Sequence, residues 1–297
     1  MERVRFGRTG LEVSRLGIGT SQNREVVALL LDAGANVVDT AQCYGDHERF
    51  LGETVSHRRA EFVLVSKCGH HEVLPDGRLR SRPISMHDID AALERLRTDH
   101  LDAMLLHSYD RDLLERGEAV EVLLEARRAG KIRFAGYSGD NETAEVAAAI
   151  PGLDVLEVSV SAADQRNIDR LLRSGPVPGA PGTIAKRPIA NAAWRWMGMA
   201  PDQIPDGPRP YAARLAAMGL DPAWIDACAG GWAEFALRFN LSVPGLHTSI
   251  IGTGNPENAR ANLAYAARGP LPEPTFAAVR AAFASAEAAA GGWPALN

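Results

Sequence analysis

The chain has 297 residues, 46% of them hydrophobic and 23% charged, with a net charge of −5. These are ordinary globular values that allow a sizeable core and exclude the basic footprint of a nucleic-acid binder. No apolar run of about 20 residues is long enough to cross a bilayer, and MERVRFGRTG lacks the apolar segment of a secretory signal. The three cysteines, Cys43, Cys68 and Cys228, have neither a disulfide-framework nor a metal-type spacing. The expectation is a cytoplasmic protein with no membrane or nucleic-acid partner.

Taken in chain order, short apolar runs alternate with amphipathic stretches. MERVRFGRTGLEVS, with Gly10 between two extended runs, predicts an N-terminal hairpin that plugs the bottom of whatever follows. RLGIGT then precedes the helical REVVALLLDAG, NVVDT precedes HERFLGETVSHR, and FVLVSKCG precedes MHDIDAALERLR. LDAMLLHS precedes EAVEVLLEARRAG, RFAGYSGD precedes NETAEVAAAI, and VLEVSVS precedes DQRNIDRLLRSG. GTIAKRP leads through a long connection to AWIDACAGGWAEFALRFN, and TSIIGTG precedes PENARANLAYAARG. PTFAAVRAAFASAEAAAG is a final C-terminal helix outside the repeat.

This alternation implies βαβ units and a parallel sheet. Eight strand–helix pairs in a chain of this length predict an α/β fold, a closed (β/α)8 TIM barrel. A doubly wound open sheet is the alternative. No Ser- or Gly-rich linker divides the chain, so residues 1–297 read as one domain. The connection over residues 193–222 holds Trp194, Trp196, Met197, Met199 and Tyr211. It reads either as a binding-site wall or as an apolar flap packed on the barrel.

Active sites of such barrels lie at the C-terminal strand ends. Asp39, Lys67, His107 and Ser138 fall at those ends, Tyr44 on the loop after the second strand, and Glu157 and Ser161 along the sixth. Each has a plain structural reading. Asp39 can cap the next helix, Tyr44 can be an aromatic plug, Lys67 a rim charge and His107 a hydrogen-bonded core imidazole. Together they point to chemistry. A lysine at the end of a buried run needs a carboxylate, and Asp39 is one strand over. An ammonium beside a phenol lowers the tyrosine pKa from about 10, which makes Tyr44 a proton donor to a carbonyl oxygen. His107 can donate to the same oxygen. This set suits carbonyl reduction, and since no side chain supplies hydride, a nicotinamide cofactor must.

FGRTGLEVSRLGIGT resembles the N-terminal hairpin and first strand of the aldo-keto reductases. DTAQCYGDHERFLGE is similar to their segment from catalytic aspartate to tyrosine, LVSKCG to their lysine strand and LDAMLLHS to their histidine strand. The resemblance covers almost the whole chain and implies Asp39, Tyr44, Lys67 and His107 as the catalytic tetrad. It also implies NADP(H), with NAD(H) possible, as cofactor and a small-molecule aldehyde or ketone as substrate. SIIGTGNPENARANL resembles the phosphate-binding segment, with Gly252, Thr253, Gly254 and Asn255 around the adenosine phosphates and Asn258, Arg260 and Asn262 on the helix that Pro256 opens. Other implied cofactor contacts are Gly19, Thr20 and Asp39; Ser138 and Glu157; and Lys186, Arg187, Pro188, Ile189 and Asn191.

Several positions depart from the family pattern. Gly139 replaces a usual asparagine, and Lys186 stands where a tyrosine often stacks on the nicotinamide. Glu157 replaces a glutamine, so it can accept from the carboxamide NH2 but cannot donate back when ionised. Gly252 and Asn258 stand where relatives often place basic residues near the 2′-phosphate. Arg260 or Arg187 is then the remaining partner, and a modest NADPH preference is expected. The adjacent His70 and His71 read as a solvated loop pair, and two neighbouring histidines alone do not make a metal ligand set. Two other readings stay open: a cofactor-binding regulatory or interaction subunit on the same fold, like the β-subunits of potassium channels, and a Schiff-base role for Lys67.

Overall fold

Gly10 adopts φ 72° and turns the chain so that β1 (Arg3–Arg5) pairs antiparallel with β2 (Glu12–Ser14), the predicted hairpin. In this computed structural model, which describes residues 1–77, 79–172, 179–294 and 296, the barrel strands follow. They are β3 (Leu16–Ile18), β4 (Val37–Asp39) and β5 (Val63–Cys68). A side hairpin of β6 (His71–Val73) and β7 (Leu79–Ser81) intervenes. The barrel resumes with β8 (Leu101–His107), β9 (Ile132–Ser138), β10 (Leu153–Ser159), β11 (Gly182–Lys186) and β12 (Thr248–Ile251). The eight barrel strands are parallel and the sheet closes where β12 pairs with β3. The predicted (β/α)8 architecture is therefore correct.

Strand parity positions the site. Side chains two apart share a face of a strand. Val37, Val63, Val65, Ala103, Leu105, Val155, Ile184 and Ile250 form one cluster inside the barrel, and Phe6 and Val13 of the N-terminal segment seal it from below. Continuing the same parity upward gives Asp39 after Val37, Lys67 after Val65, His107 after Leu105 and Glu157 after Val155. The hydrophobic layers thus end in a polar layer at the top. The alternate residues Leu64, Cys68, Met104 and Leu106 face outward into the larger core between strands and helices.

Local signals set the helices. Ser85 and Asp88 form a capping box at the start of Met86–Leu96, which satisfies two of the free N–H groups there. The final helix, Glu273–Ala289, packs through Val279 and Phe283. Three expectations need correction or restriction. AWIDACAGGWAEFALRFN forms two helices, Pro222–Ala229 and Trp232–Ser242, because Gly230 and Gly231 take φ of 65° and 125° between them. The connection over 193–222 contains the helix Arg209–Met218 and two 3-10 turns. Of the helix read into DQRNIDRLLRSG, Arg166–Leu171 is observed, and residues 173–175 lie outside the described residues.

Candidate active site

A cavity of about 1150 Å³ opens at the C-terminal end of the barrel. Its wall includes Gly19, Thr20, Asp39, Tyr44, His107, Glu157, Lys186, Arg187, Pro188, Ile189, Asn191 and Gly252, all predicted site residues. Under it lies Lys67, 0% exposed. Its ammonium donates to both Asp39 oxygens, at 2.7 and 2.6 Å, and to the Thr40 carbonyl oxygen at 3.0 Å. The neighbouring register explains the meeting: Asp39 pairs with Val65, and Lys67 is the next inward-facing residue on β5.

The sequence pointed to one carboxylate partner for Lys67, and the structure supplies two. Glu157 Oε2 lies 3.3 Å from Lys67 Nζ, and its residue is 1% exposed. Among the described residues that oxygen has no hydrogen-bond partner. It feels the lysine's charge, while the N–H groups point to Asp39 and Thr40, so an acceptor position on the cavity wall stays unused. Glu157 Oε1 accepts from Ser138 Oγ at 3.2 Å, because β9 and β10 place the two residues in register.

Charge balance in this dry cluster shifts its groups. Burial alone would lower the Lys67 pKa, but Asp39 and then Glu157 outweigh it and hold the ammonium above its ordinary range. Asp39 is pushed well above the usual carboxylate range by burial and then by Glu157, against the pull of Lys67. Tyr44 corrects another expectation. Lys67 lowers its pKa as anticipated, but burial, with Asp39 and Glu157, overrides this and raises the phenol to about 12. The phenol thus stays protonated. His107 is held down to about 2 by burial and then by Lys67, so its imidazole is neutral.

The two candidate donors stand together. The Tyr44 and His107 rings meet edge-on with centroids 5.7 Å apart, and Lys67 Nζ lies 5.2 Å from the Tyr44 ring centroid. His107 Nδ1 lies 3.3 Å from Cys43 Sγ. His70 is exposed, as expected of a solvated loop residue, and His71 is half-buried; both line the cavity. The aromatic residues of 193–222 do not line it; Trp194, Trp196 and Met197 pack against the core instead. The flap reading is the correct one for that segment.

The loop after β11 carries backbone strain: Arg187, Ala190, Asn191 and Ala192 take φ of 46–55°, a region few non-glycine residues enter. Lys186 Nζ pairs with buried Asp140 at 3.1 Å, and Arg187 Nη1 donates to Tyr211 Oη at 3.4 Å. Gly139 has a packing reason: a Cβ there would lie 2.4 Å from the Tyr137 hydroxyl. Gly252 likewise approaches the Thr20 carbonyl, which an added Cβ would meet at 2.8 Å.

Beyond the cavity wall, Thr253 Oγ1 accepts from Asn255 N at 3.1 Å, and Asn255 caps the helix Pro256–Ala267 by accepting from Glu257 N. Asn23 donates to the Gly254 carbonyl at 2.9 Å. Asn258 Nδ2 is 3.5 Å from Thr253 Oγ1 and Asn262 is buried. Arg260 is exposed and already paired with Glu25 at 3.3 Å and Glu257 at 3.5 Å. Ser161 is buried in a tight turn with Asp164.

These features agree with comparison to known proteins. The aldo/keto reductase family model matches residues 4–174, and the chain belongs to that family, whose members are oxidoreductases. It is 29% identical to Aldo-keto reductase YhdN of Bacillus subtilis over 159 residues, 46% of this chain and 47% of that protein. It is also 29% identical to L-galactose dehydrogenase of Arabidopsis thaliana over 153 residues, 45% of this chain and 47% of that protein. The match thus spans about half the length of these relatives. A solved structure, aldo-keto reductase AKR11C1 from Bacillus halodurans in its holo form, shares the fold with a TM-score of 0.75. It is 20% identical and covers 95% of this chain and 96% of that one.

Proposed function

We propose that the protein reduces a small aldehyde or ketone to an alcohol with NADP(H) as cofactor. The observation that carries this reading is the pair of neutral donors, Tyr44 and His107, edge-on at 5.7 Å over the buried Lys67–Asp39 pair. The bound nicotinamide would supply hydride to the carbonyl carbon. Tyr44 gives its phenolic proton to the carbonyl oxygen, and His107 donates an N–H to the same oxygen and orients it. Lys67 stabilises the negative charge that develops on the phenol, and Asp39 holds Lys67 in place.

The chain's own residues fit the cofactor. Glu157 Oε2 is a buried acceptor without a hydrogen bond on the cavity wall, which suits a carboxamide N–H. Ser138 orients that carboxylate. Gly19, Thr20, Lys186, Arg187, Pro188, Ile189 and Asn191 line the groove towards the Gly252–Asn255 turn, where the cap of a helix N-terminus suits phosphate. Thr253, Gly254, Asn258 and Asn262 frame that turn, and Arg260 must leave Glu25 to reach a 2′-phosphate. The uninterrupted tetrad geometry favours catalysis over a purely regulatory role. The test is turnover of a panel of aliphatic and aromatic aldehydes with NADPH and NADH side by side. Consumption of neither cofactor with any carbonyl would refute the reading.

A further inference from the structure

We propose that Cys43, His70 and His107 form a three-ligand zinc site across the mouth of this cavity, and that zinc there switches the enzyme off by drawing the His107 ring towards Cys43 and His70 and away from the substrate carbonyl. The regulatory half rests on the role given to His107 above; the binding half does not.

The three side chains come from the tops of adjacent barrel strands. Cys43 lies on the loop after β4, His70 just beyond β5 and His107 at the end of β8. Their ligating atoms all lie within 4.8 Å of one another. Cys43 Sγ is already 3.3 Å from His107 Nδ1, and the His70 and His107 rings are 4.7 Å apart. Zinc–ligand bonds of about 2.0–2.3 Å put tetrahedral ligands roughly 3–4 Å apart. Small side-chain rotations therefore close the set.

The chemistry favours zinc over hard cations. One sulfur and two imidazoles are soft to borderline donors, and three protein ligands with an open fourth position describe a reactive zinc geometry. His70 Nδ1 lies 3.3 Å from the His71 carbonyl oxygen. A carbonyl can only accept, so Nδ1 carries the proton and Nε2 presents its lone pair, the backing typical of a metal-bound histidine. Cys43 binds as thiolate, and its proton is released to solvent as the Zn–S bond forms. Lys67 raises the potential at His107, and Asp39 and Glu157, 2.6 and 3.3 Å from its ammonium, offset that charge in part. Cys43 and His70 are exposed, which gives the ion a way in.

The experiment titrates Zn²⁺ into the cofactor-free protein against a chromophoric chelator. The expected result is one saturable site, weakened at least about tenfold, the lower limit found even for outer-shell changes, in Cys43→Ser and in His70→Ala. Both positions are exposed, so neither variant threatens the fold. Co²⁺ in place of Zn²⁺ should show a thiolate-to-metal charge-transfer band that Cys43→Ser abolishes. Carbonyl reduction by the wild type should fall on adding Zn²⁺ and recover with EDTA, while Cys43→Ser, measured against its own zinc-free rate, resists zinc. Absence of saturable binding, or binding unchanged in both variants, overturns the site. Saturable binding with full turnover overturns the regulatory half. If no carbonyl is reduced even without zinc, the proposed function fails while the titration still decides the site.

Discussion

Replacing Glu157 by glutamine removes one charge from a cluster with two carboxylates and one ammonium, and keeps its shape. Asp39, Lys67 and Glu157 are each 0–1% exposed, so solvent screens their interactions little. In the wild type, Asp39 is pushed well above the carboxylate range by burial first and Glu157 second. A carboxyl with a raised folded pKa favours the fold fully below its unfolded value of about 4. That contribution is lost as pH rises towards the folded value, with a slope of about 1.4 kcal/mol per pH unit for one proton. Glu157→Gln deletes the second cause and leaves Lys67 paired to Asp39 alone. The window narrows, and the variant's stability relative to wild type should climb with pH by up to that slope. Guanidinium unfolding from about pH 5 to about pH 8, at matched m-values, measures the difference. The amide exchanges the free acceptor oxygen for a donor to the carboxamide oxygen, so NADPH affinity should change by no more than one hydrogen bond, about 0.5–1.5 kcal/mol or roughly 2–12-fold. Parallel stability curves for the two proteins would show that Glu157 does not control the ionisation of Asp39.

Tyr44→Phe should lower carbonyl reduction by about 10²–10⁴-fold, the usual worth of a general acid, while fluorescence titration shows NADPH binding intact; near-normal turnover would remove Tyr44 from the mechanism. Lys67→Met leaves Asp39 and Glu157 facing each other in a dry site, and breaking such a pair costs about 3–5 kcal/mol. Chemical denaturation at neutral pH should show that loss, and adding Asp39→Asn should recover part of it; a stable single variant would refute the ion pair's role. Because Arg260 is occupied by Glu25 and Glu257, NADPH should bind less than about a thousandfold (4 kcal/mol) more tightly than NADH, and Arg260→Ala should reduce that ratio. A larger preference, or a ratio untouched by the substitution, would assign the 2′-phosphate to another residue.

The alternation of eight apolar runs with amphipathic stretches determined the barrel, because period-2 and period-3.6 burial are local properties of the chain. The same parity carried Asp39, Lys67 and His107 to the top of the barrel, since each sits two residues beyond an inward-facing apolar residue. Tyr44 was legible from its place in a family-like segment. Burial and charge at long range were not legible. No spacing shows that Glu157, on β10, reaches Lys67, on β5; the closed barrel brings them to 3.3 Å. The sign of the Tyr44 shift likewise depended on desolvation and on that second carboxylate, which together outweigh Lys67. Cys43, His70 and His107 have no metal-like spacing in sequence, and only the adjacency of β4, β5 and β8 gathers them. The aromatic segment after β11 looked like a pocket wall because apolar residues in a long loop suit either role. Tertiary packing decided it, since the neighbouring core gives Trp194, Trp196 and Met197 an apolar surface to pack against.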